Sequence, residues 1–180
     1  MFVVLLALAG SPAAFGAQSA RTGGTEYGAQ PQTPAQPLVE GAKARLIDGV
    51  AHAPAAAPAA VQRAVWAANT IITKPYRYGG GHAKGFKDTG YDCSGTISVA
   101  LNGADTLDSP LDSSSFMRWG EAGKGAWITV YTNPGHAFVV IAGLRLDTSA
   151  ANDPSGRKGP RWRPALRSTS GFRARHPAGL

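Results

Sequence analysis

Apolar positions along the chain follow two spacings. Between Ala59 and Ile72, the residues Val61, Val65, Ala68 and Ile72 recur every three or four positions. Pro58 suits a first helical turn and Lys74-Pro75 closes the run, so the pattern predicts an amphipathic helix. A second helix is predicted from Cys93, because Ile97, Ala100 and Leu101 keep helical spacing until Asn102-Gly103 stops it. The pattern then becomes extended: Trp127 to Tyr131 and His136 to Ile141 are nearly continuous apolar runs separated by Asn133-Pro134-Gly135. A third short strand is predicted from Leu144 to Thr148. Helix, helix and then an antiparallel meander is the order of an α+β domain, not of a βαβ one.

Before the first helix the pattern changes twice. Met1 to Ala9 is an apolar run far shorter than the about 20 residues that cross a bilayer as a helix, so no transmembrane span is expected. With Ala14-Phe15-Gly16 resembling a small-residue cleavage site, residues 1–17 read as a signal peptide, although the basic n-region is missing. Residues 18–57 are mostly Gln, Gly, Thr, Pro and Ala, too poor in apolar surface to offset chain entropy. They read as a disordered tether, in which Asp48-Gly49 allows a small hairpin. Folded structure is expected to begin near Pro58, giving one domain over residues 58–180.

Composition narrows the class. The 180 residues include 43% hydrophobic and 16% charged positions, enough for an ordinary core and unlike a collagen, a coiled coil or a wholly disordered chain. The 18 Lys+Arg against 11 Asp+Glu leave a formal charge of +7. Basic residues concentrate between Arg157 and Arg175, and no acid follows Asp153. That segment is either a surface for polyanions or a last strand packed through Trp162 and Phe172. For an exported chain the polyanion would be an anionic wall polymer or a phospholipid headgroup, and nucleic acid is not an expected partner.

A single cysteine, Cys93, excludes an intramolecular disulfide and a cysteine zinc cluster. It is then either inert packing or a reactive group. Small polar neighbours, a preceding glycine-rich loop and a position at a predicted helix start, where free N–H groups and the helix dipole favour a thiolate, point to a nucleophile. Its base must be one of His52, His82, His136 and His176. His136, at the mouth of an apolar strand, is the best placed, and His82 shares the glycine-rich approach to Cys93. If Ala142-Gly143 forms a two-residue turn, Asp147 lies diagonal to His136 on one sheet face and could orient its ring. Otherwise Asp147 is a carboxylate capping a strand end. Asp92 either caps the helix or faces the cleft to bind a substrate ammonium group. With Ser94 and Gly80 it is expected to contact substrate. No metal or cofactor is expected.

Lys74-Pro75-Tyr76-Arg77-Tyr78-Gly79-Gly80, then Tyr91-Asp92-Cys93-Ser94-Gly95, then Gly135-His136 leading a strand, together resemble the NlpC-type family of cell-wall cysteine peptidases over about Ala59 to Thr148. The resemblance implies a papain-like α+β fold, with N-terminal helices packed on an antiparallel sheet. It implies Cys93 as nucleophile, His136 as base, Asp147 at the third polar position and Tyr76 beside the cleft helping to hold the oxyanion. It also implies an extracytoplasmic enzyme whose partner is the peptidoglycan stem peptide, cut between D-isoglutamate and the following diamino acid through a thioester. The chain departs from the family in Tyr78 where Trp is usual, in an insertion from Gly81 to Gly90, and in Asp rather than His at position 147. A noncatalytic wall-binding module and an amidase or acyltransferase on the same fold are the alternatives.

Overall fold

Pro58 ends an extended approach, and its fixed φ opens a helix whose buried stripe, Val61, Ala64, Val65 and Ala68, is the periodicity read from the sequence. The structure is a computed structural model that describes residues 36–180. The signal peptide read at residues 1–17 and the start of the tether lie outside the described residues. In chain order the elements are β1 (Leu38–Val39), β2 (Arg45–Ile47), β3 (Val50–Pro54), α1 (Ala59–Asn69), α2 (Cys93–Gly103), the single-turn α3 (Ser113–Phe116), β4 (Glu121–Ala122), β5 (Ile128–Asn133), β6 (His136–Ile141), β7 (Leu144–Asp147), β8 (Arg161–Arg163) and β9 (Arg173–His176).

Strands β4 to β9 form one antiparallel sheet in the order β4-β9-β5-β6-β7-β8. Helix α2 packs between α1 and this sheet and is buried from Ser94 to Leu101. It is therefore a core helix and not an amphipathic one. The domain is α+β, with helices packed on an antiparallel sheet.

Residues 36–57 differ from the tether expected there. Strand β3 pairs with β1 and β2 in a small sheet whose β2–β3 hairpin turns at Asp48-Gly49. Ala51 and Ala53 are fully buried beside α1, and the described residues form one compact unit. The sequence reading allowed the Asp48-Gly49 hairpin but missed its burial against α1, because each strand is only two to five residues long and the inward positions of β3 are alanines, which carry little hydropathy signal.

Pleat alternation gives the large sheet two unlike faces. Ala137, Val139 and Ile141 of β6, with Ile128, Val130 and Leu146, join the apolar cluster under the helices. The other face carries His136, Phe138, Arg145 and Asp147. Chain from Thr148 to Phe172 covers that face with guanidinium and carboxylate groups and the ring of Phe172.

The basic C-terminal segment is largely turned inward. Arg163 is fully buried and donates to the carbonyls of Asp147, Arg157 and Gly159 and to Asp153. Arg161 donates to the carbonyl of Ile72, and Arg175 to those of Arg118, Trp119 and Gly120. Arg157, Lys158 and Arg173 are the exposed cations that remain between Arg157 and Arg175.

Glycines set how closely the loop before α2 approaches the helix. The Gly80 carbonyl accepts from the Asp92 N–H at 3.1 Å, while a Cβ on Gly95 would collide with that same carbonyl oxygen and lie 3.0 Å from the Gly81 Cα. Backbone therefore rests on backbone at the first turn of α2. Gly95→Ala is expected to cost about 2 kcal/mol or more of folding stability, as overpacking against backbone does, measured by urea denaturation. A wild-type midpoint would mean that the loop can move aside freely.

Candidate active site

The start of α2 is built by its cap. Asp92 Oδ1 accepts from the Gly95 N–H at 2.8 Å and the Ser94 hydroxyl at 3.2 Å, and meets His82 Nε2 at 3.0 Å, while Oδ2 accepts from the Gly79 N–H at 3.0 Å. Both oxygens are thus committed within the protein, so Asp92 is a helix cap bordering the cleft rather than a free carboxylate waiting for an ammonium group. Cys93 follows at the first helical position, half-buried and with its thiol at a cavity. Among the described residues, no carbonyl or side chain accepts from the Cys93 N–H, which leaves that donor to a ligand.

His136 opens β6 directly after a turn held by Asn133, whose Oδ1 accepts from the N–H groups of Gly135 at 3.0 Å and His136 at 2.9 Å. Strand β6 then returns through a tight turn. Ile141 faces Leu144, and Ala142 and Gly143 take φ of 47° and 84°. Ala142 holds this left-handed conformation because its N–H donates to the Trp127 carbonyl at 2.7 Å and its own carbonyl accepts from Ala44 at 2.9 Å. That register sets Asp147 diagonal to His136 on one face.

The ring closes the gap. His136 Nε2 lies 2.9 Å from Asp147 Oδ1, and the Asp147 side chain is fully buried. The other group acting on the ring is Cys93. With Nε2 given to the carboxylate, Nδ1 is the nitrogen left for the thiol. Burial alone would lower the proton affinity of His136. The hydrogen bonds to Asp147 and Cys93 and their negative charges outweigh it and push the pKa up to about 9 from 6.5. The imidazole is therefore an imidazolium at neutral pH, placed between Cys93 on one side and the Asp147 carboxylate on the other.

Tyr76 lines the cleft beside Cys93. Its backbone bridges to Tyr91, two residues before Cys93, through the Tyr91 N–H to the Pro75 carbonyl and the Arg77 N–H to the Tyr91 carbonyl, each 3.1 Å. Partial burial and the charges of Cys93, Asp92 and Tyr78 raise the phenol above its ordinary pKa of 10.0, so the hydroxyl keeps its proton and can donate. Two cavities meet at this residue. One, of about 410 Å³, is lined by Tyr76, Tyr78, His82, Asp92, Cys93 and Asp112. The other, of about 340 Å³, is lined by Tyr76, His136, Ser149 and Lys158. Together they make a cleft running past Cys93 and His136.

No family model and no curated protein matches the chain. Among solved structures it is similar to the peptidoglycan hydrolase RipB from Mycobacterium tuberculosis, at a TM-score of 0.47 and 21% identity over 65% of this chain and 64% of that one. It is also similar to Rv1477, a hypothetical invasion protein of Mycobacterium tuberculosis, at a TM-score of 0.45 and 21% identity over 65% and 61%. The chain thus spans less than two thirds of the length of either protein.

The residues singled out in the sequence do not all converge. Cys93, His136, Asp147 and Tyr76 come together. Ser94 borders the first cavity, but its hydroxyl turns to Asp92 and to His82 Nε2 at 3.3 Å. Ser94, His82 and Asp92 are no second relay, since serine and carboxylate meet the same ring nitrogen. Gly80 is buried with both backbone groups paired and does not line the cavity, so its part is close packing and not substrate contact. His52 stands in β3 and His176 in β9, away from the cleft residues.

Two charged residues of the cleft, Asp112 and Lys158, and Arg167 behind Asp147 escaped the sequence reading. Asp112 caps α3, and the Ser115 N–H at 2.8 Å holds its carboxyl below the usual range; the run Asp112 to Ser115 is a cap signature that was open to reading. Lys158 and Arg167 come from irregular chain and carry no local signal. Among the described residues, no three His, Cys, Asp or Glu side chains are grouped to hold a metal ion, and no helix is long and apolar enough to cross a membrane.

The raised pKa of His136 links the site to stability. Its folded value of about 9 exceeds the ordinary 6.5, so its contribution is complete below about pH 6.5 and lost as pH rises through about 9. Unfolding free energies from urea titrations between pH 6 and pH 10 should place wild type above His136→Gln at low pH, with the two converging towards pH 10. Parallel curves would show that the fold does not hold the imidazolium.

Proposed function

We propose that the chain is an exported NlpC-type cysteine peptidase that cuts peptidoglycan stem peptides, at the bond between D-isoglutamate and the diamino acid. The observation that carries this reading is the buried Asp147–His136 pair with Cys93 on the ring's other side, at the first turn of a capped core helix. That arrangement supports a thiol nucleophile with a general acid–base and its orienter. The peptidoglycan substrate rests on the resemblance of the segments around Tyr76, Cys93 and His136 to the NlpC-type family, and export rests on the apolar N-terminal run. A cleft with cavities on both sides of the reacting pair suits an extended peptide.

The chemistry follows from the placement. The Cys93 thiolate attacks the γ-amide carbonyl, and the developing oxyanion receives the free N–H of Cys93 and the protonated Tyr76 hydroxyl. The His136 imidazolium gives its proton to the departing amine as the C–N bond breaks, leaving a thioester on Cys93. Neutral His136 then takes a proton from water, which attacks the thioester and returns the thiolate. Asp147 keeps the ring oriented and balances its charge through both steps.

The test is incubation of the full chain, beside Cys93→Ala and Asp147→Asn, with muropeptides of defined stem sequence and identification of products by mass spectrometry. The expected product is split after D-isoglutamate and disappears with Cys93→Ala, while the variant's circular dichroism is unchanged. Asp147→Asn should lose about 10²-fold or more in rate through the wrong imidazole tautomer. Hydrolysis retained by Cys93→Ala would overturn the proposal. Cleavage at another amide would point to an amidase, transfer to an added amine to an acyltransferase, and wall binding with no product to a binding module.

A further inference from the structure

The opposite side of Asp147 carries a construction that the reacting pair itself does not explain. Oδ1 serves His136 and the Ser149 N–H at 2.8 Å, while Oδ2 meets Arg167 Nη1 at 3.3 Å and Arg145 Nε at 3.9 Å. Arg145 is inside the sheet face and fully buried. Arg167 comes from the irregular segment between β8 and β9, 20 residues from Asp147 in sequence. Its guanidinium carbon sits 5.2 Å from the ring centre of Phe138 and 5.3 Å from that of Phe172. The two rings pack edge to face at 5.1 Å, and Phe172 also stands edge-on to His136 at 6.3 Å. Phe138 is in turn stacked on Tyr131 at 5.0 Å, so the slot has a fixed floor.

A guanidinium held on aromatic faces is attracted by the ring quadrupoles and loses little further freedom when its planar fork meets a carboxylate. We propose that Arg167, seated in the Phe138–Phe172 slot, is a positioning residue that fixes the rotation of the Asp147 carboxylate so that Oδ1 stays on His136 Nε2. This rests on reading Cys93 and His136 as the reacting pair. Without Arg167, Oδ2 keeps only the long contact to Arg145, whose orientation is set separately by its bond to the Ala151 carbonyl at 2.5 Å. The Ser149 N–H still holds Oδ1, but the carboxylate can tilt about that anchor and its hold on His136 loosens.

Positioning and plain electrostatics predict opposite signs. The groups facing the imidazole are Cys93 from α2, Asp147 from β7 with Arg145 and Arg167 behind it, and Lys158 and Tyr76 across the adjoining cavity. Removing a nearby cation would by itself favour the imidazolium and raise its titration midpoint. Losing the Asp147 hydrogen bond removes an upward influence and lowers the midpoint.

The experiment titrates His136 by NMR in the full chain with labelled histidine, assigned by His136→Gln, for wild type, Arg167→Ala, Arg167→Lys and Phe172→Leu. The same proteins are alkylated with iodoacetamide at pH 7. Arg167→Ala is expected to lower the midpoint by about one unit or more, a tenfold change in proton affinity, and to slow alkylation of Cys93 about tenfold. Lys restores part of both because it keeps a charged donor without the planar stack. Phe172→Leu shifts both in the same direction by less. A midpoint unchanged or raised in Arg167→Ala overturns the proposal. Should that variant fail to fold, wild-type midpoints in both Arg167→Lys and Phe172→Leu overturn it equally. Neither readout needs a substrate, so a failure here leaves muropeptide cleavage standing, and absence of cleavage leaves the titration result readable.

Discussion

A buried carboxylate without water must be matched by donors and opposite charge, or its burial costs several kcal/mol. Asp147 imposes that demand on this fold. Its partners come from three pieces of chain: His136 from β6, Arg145 and the Ser149 N–H from β7 and the residues just after it, and Arg167 from the segment that leads to β9. Arg145 depends on the same centre, since its Nε and Nη1 have no hydrogen-bond partner and the nearby Asp147 carboxylate supplies its counter-charge. The outer face of the sheet consequently carries paired charge beside the rings of Phe138 and Phe172, and the geometry of that layer sets that of the imidazole.

This explains a basic composition that promises more surface charge than the structure presents. Arg163 fastens the connection between β7 and β8 by filling it with a guanidinium, and its fork holds the Asp153 carboxyl at a pKa of about 2. Arg161 and Arg175 satisfy carbonyls of chain that forms no regular structure. Five guanidinium N–H donors suit this task better than an apolar plug would, because irregular chain presents unpaired carbonyls that must be satisfied. Of the basic residues from Arg157 onward, three remain exposed, which leaves little support for an electrostatic grip on anionic wall polymers through this segment.

The nucleophile side follows a different logic. There the backbone makes the site: a capped helix start, a glycine loop resting on its first turn, and a tyrosine fixed by pairing with the residues before the cysteine. Asp92 next to the thiol is spent on the cap and on His82, so it is held away from the reacting atom. One half of the site is thus rigid because its atoms are close, and the other because its charges are matched.

Much of this was legible locally. The two helices, the meander, Cys93 at a helix start and His136 at a strand mouth follow from spacing, proline and glycine placement, and residue type, all of which act over a few residues. The pairing of Phe138 opposite Asp147 followed from a two-residue turn at Ala142-Gly143, though an alanine there needed the contacts of Trp127 and Ala44 to hold its left-handed backbone. The alanine-lined small sheet, the commitment of Asp92 and Gly80 to packing, and the approach of Arg167 and Phe172 to the imidazole were settled only in three dimensions. Each depends on partners tens of residues away, or on a side chain's surroundings rather than its type. The sequence determined which groups could react, and the tertiary structure decided which of them are free to.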